Sequence, residues 1–360
     1  MKKMIAYLSA VAVCAAMMTA CGANTNSTAD SAADAQTTVA ETETTAEETT
    51  EAETEEETTE AASEEVAEED EENYDTGDAS LDNIRNQDEI GENELLVISF
   101  GTSFNDSRRL TIGAIEDSLE KAFPEYSVRR GFTANIIIDH VERRDGVLID
   151  DVDAALQRAV DNGVKNLVVQ PTHLMNGLEY NDVVDEVASY ADAFESVTFG
   201  EPLLTSDEDF QRVEKAITDW TADYDDGETA IVFMGHGTEA DSNGVYAKMQ
   251  DLLTKDGFEH YYIGTVEATP SLDDVLEAVQ AGEYKRVILE PLMVVAGDHA
   301  NNDMAGDGED SWKSSFESLG YEVECVVRGL GENEDIQQIY VDHAAEAISH
   351  ASMEGLPKAD

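Results

Sequence analysis

Two histidines and a glutamate in the second half of the chain each follow an apolar run of strand length. His236 stands in IVFMGHGTEAD, Glu267 in GTVEATP and His299 in VVAGDHANN. Imidazole nitrogens and a carboxylate oxygen suit a borderline divalent ion such as cobalt, nickel, iron or zinc. No pair of them has the short helical spacing of a zinc-protease motif. Whether they form one metal site, or each histidine only satisfies a hydrogen bond in a loop, therefore depends on the fold.

The elements that must position these residues alternate along the chain from Asn93 onward. The predicted strands are 95–100, 127–130, 166–170, 196–199, 230–234, 261–265, 286–290 and 323–327. Helical patterns lie between nearly all of them, including 111–122, 154–161 and 207–220. Near-continuous apolar strands that alternate with helices predict parallel sheets covered on both faces. Ligands of open α/β sheets bind outside the carboxyl ends of the strands, where the three residues are expected to lie.

The alternation runs through the chain twice. LLVISFGTS is similar to IVFMGHGT, and LVVQPTHLMNG is similar to VILEPLMVVAGDH. We therefore expect an α/β fold of two similar Rossmann-like lobes with parallel sheets, residues 91–225 and 226–352. Facing strand ends would form a cleft between the lobes.

Other site chemistries find little support in the sequence. It holds no G-x-x-x-x-G-K-[ST] loop and no G-x-S-x-G elbow, and GLGENED lacks the third glycine of a dinucleotide fingerprint. The acidic stretch NNDMAGDGEDSW does not fit the calcium-loop spacing. We interpret its carboxylates as charges at the N-terminus of a helix that begins near Trp312, where the helix dipole favours them.

The first 21 residues predict export. Lys2 and Lys3 precede an apolar run over 5–18 that is too short for a stable membrane span. The following MTACG resembles a bacterial lipobox, which implies cleavage before Cys21 and lipidation of its thiol. An ordinary secretory signal cut nearby is the alternative. The chain is expected to be lipid-anchored to the outer face of a bacterial membrane.

An acidic segment separates the signal from the predicted lobes. Residues 22–90 are rich in Thr and Glu and hold almost nothing to bury, which predicts a disordered tether. Residues 91–360 are themselves strongly acidic, which argues against nucleic acid and anionic lipid surfaces as partners. Membrane contact is thus expected only through the anchor. Cys325 is the single cysteine in the predicted lobes and is interpreted as a buried thiol.

Several long blocks resemble one known family. They include LLVISFGTSFNDSRRLTIGAIE, VVQPTHLMNGLEY, VFMGHGT, GTVEATPSLDDV and PLMVVAGDHANNDMAGDGEDSWKSSFESLGYEVE. Together with VRRGFTANIII, PLLTSDEDF and GLGENEDIQ, these blocks resemble the anaerobic-type sirohydrochlorin cobaltochelatases, class II chelatases of cobalamin synthesis. The resemblance covers essentially all of residues 94–350.

The resemblance implies an enzyme that inserts Co2+ into sirohydrochlorin without a nucleotide, in a tetrapyrrole cleft between two lobes. It implies His236, Glu267 and His299 as the metal ligands, the same residues that the strand ends gather. We expect His236 to accept a pyrrole proton, and His299 with Glu267 to deliver the metal. His173, in the PTH block, is a weaker candidate for the cleft wall.

Two further expectations concern the substrate. Gly235 and Gly237 would let the macrocycle lie close to the backbone beside His236. Sirohydrochlorin is a polycarboxylate, so local arginines must receive its carboxylates. Arg129 and Arg130 are the candidates at the end of one strand, and Arg108 and Arg109 follow another.

Three alternatives stay open. An exported chain could be a haem-, tetrapyrrole- or metal-binding lipoprotein that keeps the fold without turnover. The same chelation could use iron or nickel, because ligand type does not decide among these ions. A homo-oligomer is compatible with the sequence.

Overall fold

A computed structural model of the protein describes residues 76–88 and 90–350. The predicted signal peptide, the lipidation site Cys21 and the part of the predicted tether over 22–75 lie outside the described residues. Across the described ranges, no helix combines the length and the apolar character needed to cross a bilayer.

The described residues form two four-stranded parallel sheets. The first holds β1 Asn93–Ser99, β2 Ser127–Phe132, β3 Asn166–Pro171 and β4 Ser196–Phe199; the second holds β5 Thr229–Gly235, β6 Tyr261–Thr265, β7 Arg286–Pro291 and β8 Glu322–Cys325. The strand orders are β2-β1-β3-β4 and β6-β5-β7-β8, so the second sheet repeats the first. The predicted α/β fold with two similar parallel-sheet lobes is confirmed.

Helices connect successive strands, because parallel neighbours need crossover connections. In chain order they are α1 Asn105–Leu110, α2 Ile112–Ala122, α3 Asn135–Asp145, α4 Val152–Asp161, α5 Leu178–Tyr190, α6 Asp207–Thr221, α7 Gly244–Asp256, α8 Leu272–Gln280, α9 Trp312–Ser318 and α10 Glu334–His350. Ser206 caps α6 and Ser271 caps α8, each in a reciprocal capping box. The Ser206 cap marks a helix start that agrees with the predicted helix at 207–220.

The last helix of each half packs against the other half. α10, at the end of the second half, contacts α2 and β3 of the first sheet. The Tyr340 hydroxyl, fully buried, donates to the carbonyl of Thr172 at 2.8 Å. α6, at the end of the first half, contacts α7. The Thr221 hydroxyl lies 3.0 Å from the Tyr261 hydroxyl on β6.

One hydrophobic core therefore contains side chains from both sheets and from both exchanged helices. Val97 and Val168 of the first sheet belong to the same buried cluster as Phe233 of the second. Phe210 of α6 and Ile339 of α10 lie in it too. The two lobes share this largest cluster, and each lobe also has a smaller buried cluster of its own.

The segment 76–88 is ordered against the first lobe, which corrects the expectation that the tether runs to residue 90. The carbonyl of Thr76 accepts from the Asp106 amide at 2.8 Å. Asp82 is 1% exposed and pairs with Arg108 and Arg130, which are both fully buried. Charged residues of a polar segment thus neutralise arginines that the sheet and α1 bury.

Candidate metal centre

His236 and Glu267 are placed side by side by adjacent strands. β5 and β6 pair in parallel with Gly235 opposite Thr265, and each of the two residues lies just beyond its strand. The ladder continues past the strand ends, because the Glu267 amide donates to the His236 carbonyl at 2.9 Å. Backbone hydrogen bonds therefore fix the spacing of the two side chains.

His299 reaches the same place from the neighbouring strand on the other side. β7 pairs with β5, and the Leu292 amide just beyond β7 donates to the Met234 carbonyl at 2.7 Å. The chain then runs through Gly297 to His299, which begins a π-helical turn over Ala300–Met304. Single π-helical turns are rare and are frequently found at functional sites. The rings of His299 and His236 meet edge to face, with centroids 4.7 Å apart.

The three side chains can hold one ion. One ligand atom from each of His236, Glu267 and His299 lies within 4.8 Å of the others. Their side chains are 44%, 36% and 16% exposed, so the group opens to solvent and His299 is its most buried member. Two imidazoles and one carboxylate leave at least one coordination position open, as in zinc sites that have three protein ligands.

Both imidazoles have their Nδ1 atoms engaged by the protein. His236 Nδ1 lies 2.8 Å from the carbonyl oxygen of Gly237. Because a carbonyl oxygen only accepts, Nδ1 carries the proton and the Nε2 atom of the neutral ring holds the lone pair. His299 Nδ1 lies 2.6 Å from Oδ2 of Asp303. This geometry favours the same tautomer for both rings.

The glycines around His236 serve internal packing, which corrects the expectation that they clear space for a macrocycle. A Cβ on Gly235 would lie 2.2 Å from Cε1 of Tyr246, whose ring occupies that space. Gly237 has φ +92°, and a Cβ there would lie 2.9 Å from Ala268 and Thr265. Tyr246 also accepts the Gly237 amide at 3.3 Å. Tyr246 thus supports the loop that carries His236 through packing and a hydrogen bond.

Loops of the first lobe approach the metal-centre loops of the second. The Ala296 amide donates to the Ser107 hydroxyl at 2.9 Å. A Cβ on Gly297 would lie 3.1 Å from Oγ1 of Thr102, directly after β1. The strand ends of both lobes therefore border the region around His299, as the cleft hypothesis requires.

His173 lies just beyond β3, the strand that corresponds to β7. Its ring packs edge to face on Tyr180, with centroids 6.4 Å apart, and both ring nitrogens are shielded from solvent without a hydrogen-bond partner in the described structure. Burial lowers the pKa of His173 to about 4, so the ring is neutral at pH 7. The structure does not bring His173 into the group of three side chains that could hold a metal ion.

The predicted carboxylate-binding arginines are turned into the protein. Arg130 is fully buried and makes bidentate pairs with Glu116 at 2.7 and 2.8 Å and with Asp82 at 2.7 and 3.1 Å. Arg129 is 2% exposed, and its Nη1 donates to Gln87 at 3.2 Å. The expectation that Arg129 and Arg130 receive substrate carboxylates is contradicted by this burial, since neither guanidinium faces solvent.

The other two arginines of that set differ from each other. Arg108 is fully buried and donates to Asp82 at 2.7 Å. Arg109 is 36% exposed and lies 3.2 Å from Asp106. Of the four arginines considered from the sequence, only Arg109 presents part of its side chain to solvent.

Comparison with known proteins decides the family. The sequence model of the cobalt chelatase (CbiK) family matches residues 93–349. This chain belongs to the cobalt chelatase family. Sirohydrochlorin cobaltochelatase of Salmonella typhimurium is similar to it, at 37% identity over 257 residues that cover 71% of this chain and 97% of the relative. Sirohydrochlorin cobaltochelatase CbiKC of Nitratidesulfovibrio vulgaris is 32% identical over 279 residues, or 75% of this chain and 96% of the relative.

The fold of this cobalt chelatase family member is also found among solved structures. SirB from Bacillus subtilis with Fe3+ has a TM-score of 0.51 at 12% identity, covering 72% of this chain and 97% of that one. At this identity the likeness supports the fold alone. The family match begins at residue 93, so the ordered segment 76–88 lies outside it.

One acidic residue beside the candidate metal centre of this cobalt chelatase family member has a contact that differs from the sequence prediction. The sequence predicts that Asp303 belongs with the acidic charges that precede α9, yet its Oδ2 lies 2.6 Å from Nδ1 of His299. The spacing of four residues between them was the available signal, because residues four apart on a helix are neighbours. A histidine followed by a carboxylate at that distance can form such a pair even where the turn is π-helical.

Proposed function

We propose that this protein inserts Co2+ into sirohydrochlorin, with His236, Glu267 and His299 as the metal ligands. The observation that carries the proposal is the convergence of these three side chains on one point in a member of the cobalt chelatase family. The two curated relatives named above are sirohydrochlorin cobaltochelatases, which supports the same substrates here.

His299 and Glu267 hold the incoming Co2+. His299 is the less exposed of the two imidazoles and is anchored at both Nδ1 and the π-helical turn. Glu267 supplies a negatively charged oxygen, which lowers the net charge of the site when Co2+ is bound. The open side of the site lets ring nitrogens replace protein ligands one at a time, so that the ion is never fully desolvated.

His236 accepts a proton from the macrocycle. Insertion releases two pyrrole N–H protons as one Co2+ enters, so the reaction needs a base but no oxidant and no nucleotide. Because Nδ1 donates to the Gly237 carbonyl, the Nε2 lone pair of the neutral ring serves as metal ligand and as base in turn, and it accepts the proton after it has released the ion. His236 is also the more exposed imidazole, which suits contact with a bound ring.

An insertion assay tests the proposal. The protein from residue 76 onward is mixed with sirohydrochlorin, and Co2+, Fe2+ or Ni2+ is added while the ring absorbance is followed. We expect incorporation of cobalt by the wild type and a loss of about 10²–10⁴-fold in His236→Ala. His299→Ala and Glu267→Ala should weaken Co2+ binding and slow insertion. His350→Ala, at the exposed end of α10, serves as the matched control.

Ring binding separates an enzyme from a passive carrier. His236→Ala should bind sirohydrochlorin within about tenfold of the wild type, or about 1.4 kcal/mol, yet fail to insert the metal. If His236→Ala does not bind the ring at all, His236 anchors the ring and its role as base is wrong. If the wild type binds the ring tightly but incorporates none of the three metals, a tetrapyrrole-binding lipoprotein replaces the enzyme.

We also propose that the protein is exported and lipid-anchored through Cys21. The support is the basic, apolar and small-residue pattern of residues 1–21, which lies outside the described structure. Cys21→Ser should move the protein from the membrane fraction to the soluble fraction of the cell. Continued membrane fractionation of Cys21→Ser would count against lipidation.

A further inference from the structure

Asp303 contacts a metal ligand without belonging to the metal-binding group. Its Oδ2 lies 2.6 Å from Nδ1 of His299, while the group of three that can hold an ion consists of His236, Glu267 and His299. The Asp303 side chain is 44% exposed and that of His299 is 16% exposed. Asp303 is therefore the more exposed partner of this contact.

This contact decides which nitrogen of His299 can bind a metal. An ionised carboxylate only accepts hydrogen bonds, so Nδ1 of His299 must donate to it. A neutral imidazole has one N–H group, and the Nε2 atom then carries the lone pair. Carboxylates that accept from a metal-binding histidine in this way fix its tautomer and ring orientation.

The backbone around Asp303 is held independently of that contact. Asn301 donates to the Gly297 carbonyl through its amide at 3.2 Å and through Nδ2 at 2.7 Å. Ala300 and Met304, at the two ends of the π-helical turn, are fully buried. The π-helical turn thus fixes the position of the Asp303 carboxylate. The carboxylate can then fix the orientation and tautomer of the His299 imidazole.

His236 reaches the same tautomer by a different route. Its Nδ1 is 2.8 Å from the carbonyl of Gly237, a backbone group. A side-chain substitution cannot remove that acceptor. The acceptor for His299 is a side chain instead, so a substitution of Asp303 can change the His299 tautomer.

We propose that Asp303 is a positioning residue that holds His299 in the Nδ1–H tautomer and so directs Nε2 to the metal. The assignment of the metal rests on the proposed function. The control of the tautomer does not, because it follows from the hydrogen bond alone.

The tautomer is measured in the metal-free protein. Long-range proton–nitrogen NMR correlations distinguish Nδ1–H from Nε2–H imidazoles, and the His299 signals are assigned by their loss in His299→Gln. We expect the Nδ1–H form in the wild type and in Asp303→Glu, which keeps a carboxylate. Asp303→Ala should raise the Nε2–H fraction. An unchanged tautomer in Asp303→Ala overturns the proposal.

Metal binding gives the second readout. Co2+ titrations followed by visible absorption should show about 10–100-fold weaker binding in Asp303→Ala and Asp303→Asn, with the band shape of the wild type. The control is Asp307→Asn, whose side chain is 94% exposed and pairs with Lys313 at 2.6 Å. It should bind Co2+ within about twofold of the wild type, as expected for a single exposed pair of little energetic weight.

The outcomes separate this proposal from the proposed function. A changed band shape in Asp303→Ala would mean that Asp303 is itself a ligand, which overturns the positioning role. Wild-type Co2+ affinity in Asp303→Ala overturns it as well. If the wild type binds no Co2+, the metal assignment fails, while the NMR result still decides whether Asp303 controls the tautomer.

Discussion

At the scale of single residues, the sequence correctly predicts that the two glycines beside His236 are needed, but the structure gives a different reason for them. The sequence indicates that Gly235 and Gly237 exclude side chains. The structure assigns that exclusion to Tyr246, whose ring fills the space beside Gly235, and to the positive φ of Gly237. Tyr246 lies eleven residues along the chain, on α7, so its position could not be inferred without the tertiary fold.

Gly235→Ala should destabilise the protein by about 1–3 kcal/mol, because the added methyl group overpacks against Tyr246. Thermal unfolding of the variant and the wild type measures this change. Gly244→Ala is the matched control, since a Cβ on Gly244, at the start of α7, meets nothing within 4 Å. Equal melting temperatures for the two variants would show that Tyr246 yields without cost.

His173 makes the stability of the protein depend on pH. Its pKa falls from 6.5 to about 4 on folding because burial disfavours the charged ring. The stability is therefore fully present above pH 6.5 and is lost as the pH falls from 6.5 through 4. We expect the wild type to lose up to about 3 kcal/mol more than His173→Gln over this range. Denaturant melts of both proteins measure this, and parallel pH profiles would show that His173 is accessible to protons in the folded state.

The convergence of the three proposed metal ligands was predictable from the sequence, but the surroundings of the arginines were not, for a physical reason. Parallel strands bring their carboxyl ends to one edge, so His236, Glu267 and His299 converge once the strands are known. Whether the Arg130 guanidinium is buried or faces solvent depends instead on where its acidic partners lie. One of them, Asp82, comes from a segment whose composition predicts disorder.

At the scale of elements, the segment 76–88 completes a buried ion network. Arg108 and Arg130 share Asp82, while Glu116 pairs with Arg130 and, at 3.2 Å, with Arg85. All five side chains are at most 1% exposed. Removal of one partner from a buried ion pair costs about 3–5 kcal/mol, because the remaining charge stays desolvated.

A protein that starts at residue 91 should therefore melt about 10 °C below one that starts at residue 76. Only the longer protein keeps Asp82 and Arg85. Asp82→Asn in the longer protein should reproduce most of the loss. The control is Asp88→Asn, because Asp88 is 64% exposed where it pairs with Arg158. Equal melting temperatures for the two proteins would show that residues 76–88 do not stabilise the fold and serve only as a tether.

The elements themselves followed from the sequence more closely than their packing did. Each predicted strand overlaps an observed one, and the predicted helix at 207–220 is α6 to within one residue. Hydrophobic periodicity marks the apolar face of a helix but does not name the surface it covers. The exchange of α6 and α10 between the lobes therefore could not be predicted from the sequence.

At the scale of the whole molecule, this exchange makes the two lobes interdependent. α10 covers the first sheet through Ile339, Tyr340 and Ala344, which are fully buried. α6 is bound to the second half in the same way, and Arg328 stacks on its Trp220 at 3.7 Å. The proposed metal centre, which is built on one lobe and bordered by loops of the other, is thus held in a single cooperative structure.

Fragments 76–225 and 226–350 should each fail to fold alone, because the first lacks α10 and the second lacks α6. An uncovered sheet face of a parallel α/β lobe exposes a large apolar surface that must be buried for stability. Mixed in equal amounts, the fragments should form a one-to-one complex with a cooperative thermal transition. Fusion of residues 334–350 to the first fragment through a Gly/Ser linker should restore its folding. A cooperative transition at the melting temperature of the intact protein, in either fragment alone, would show that the exchanged helices are dispensable.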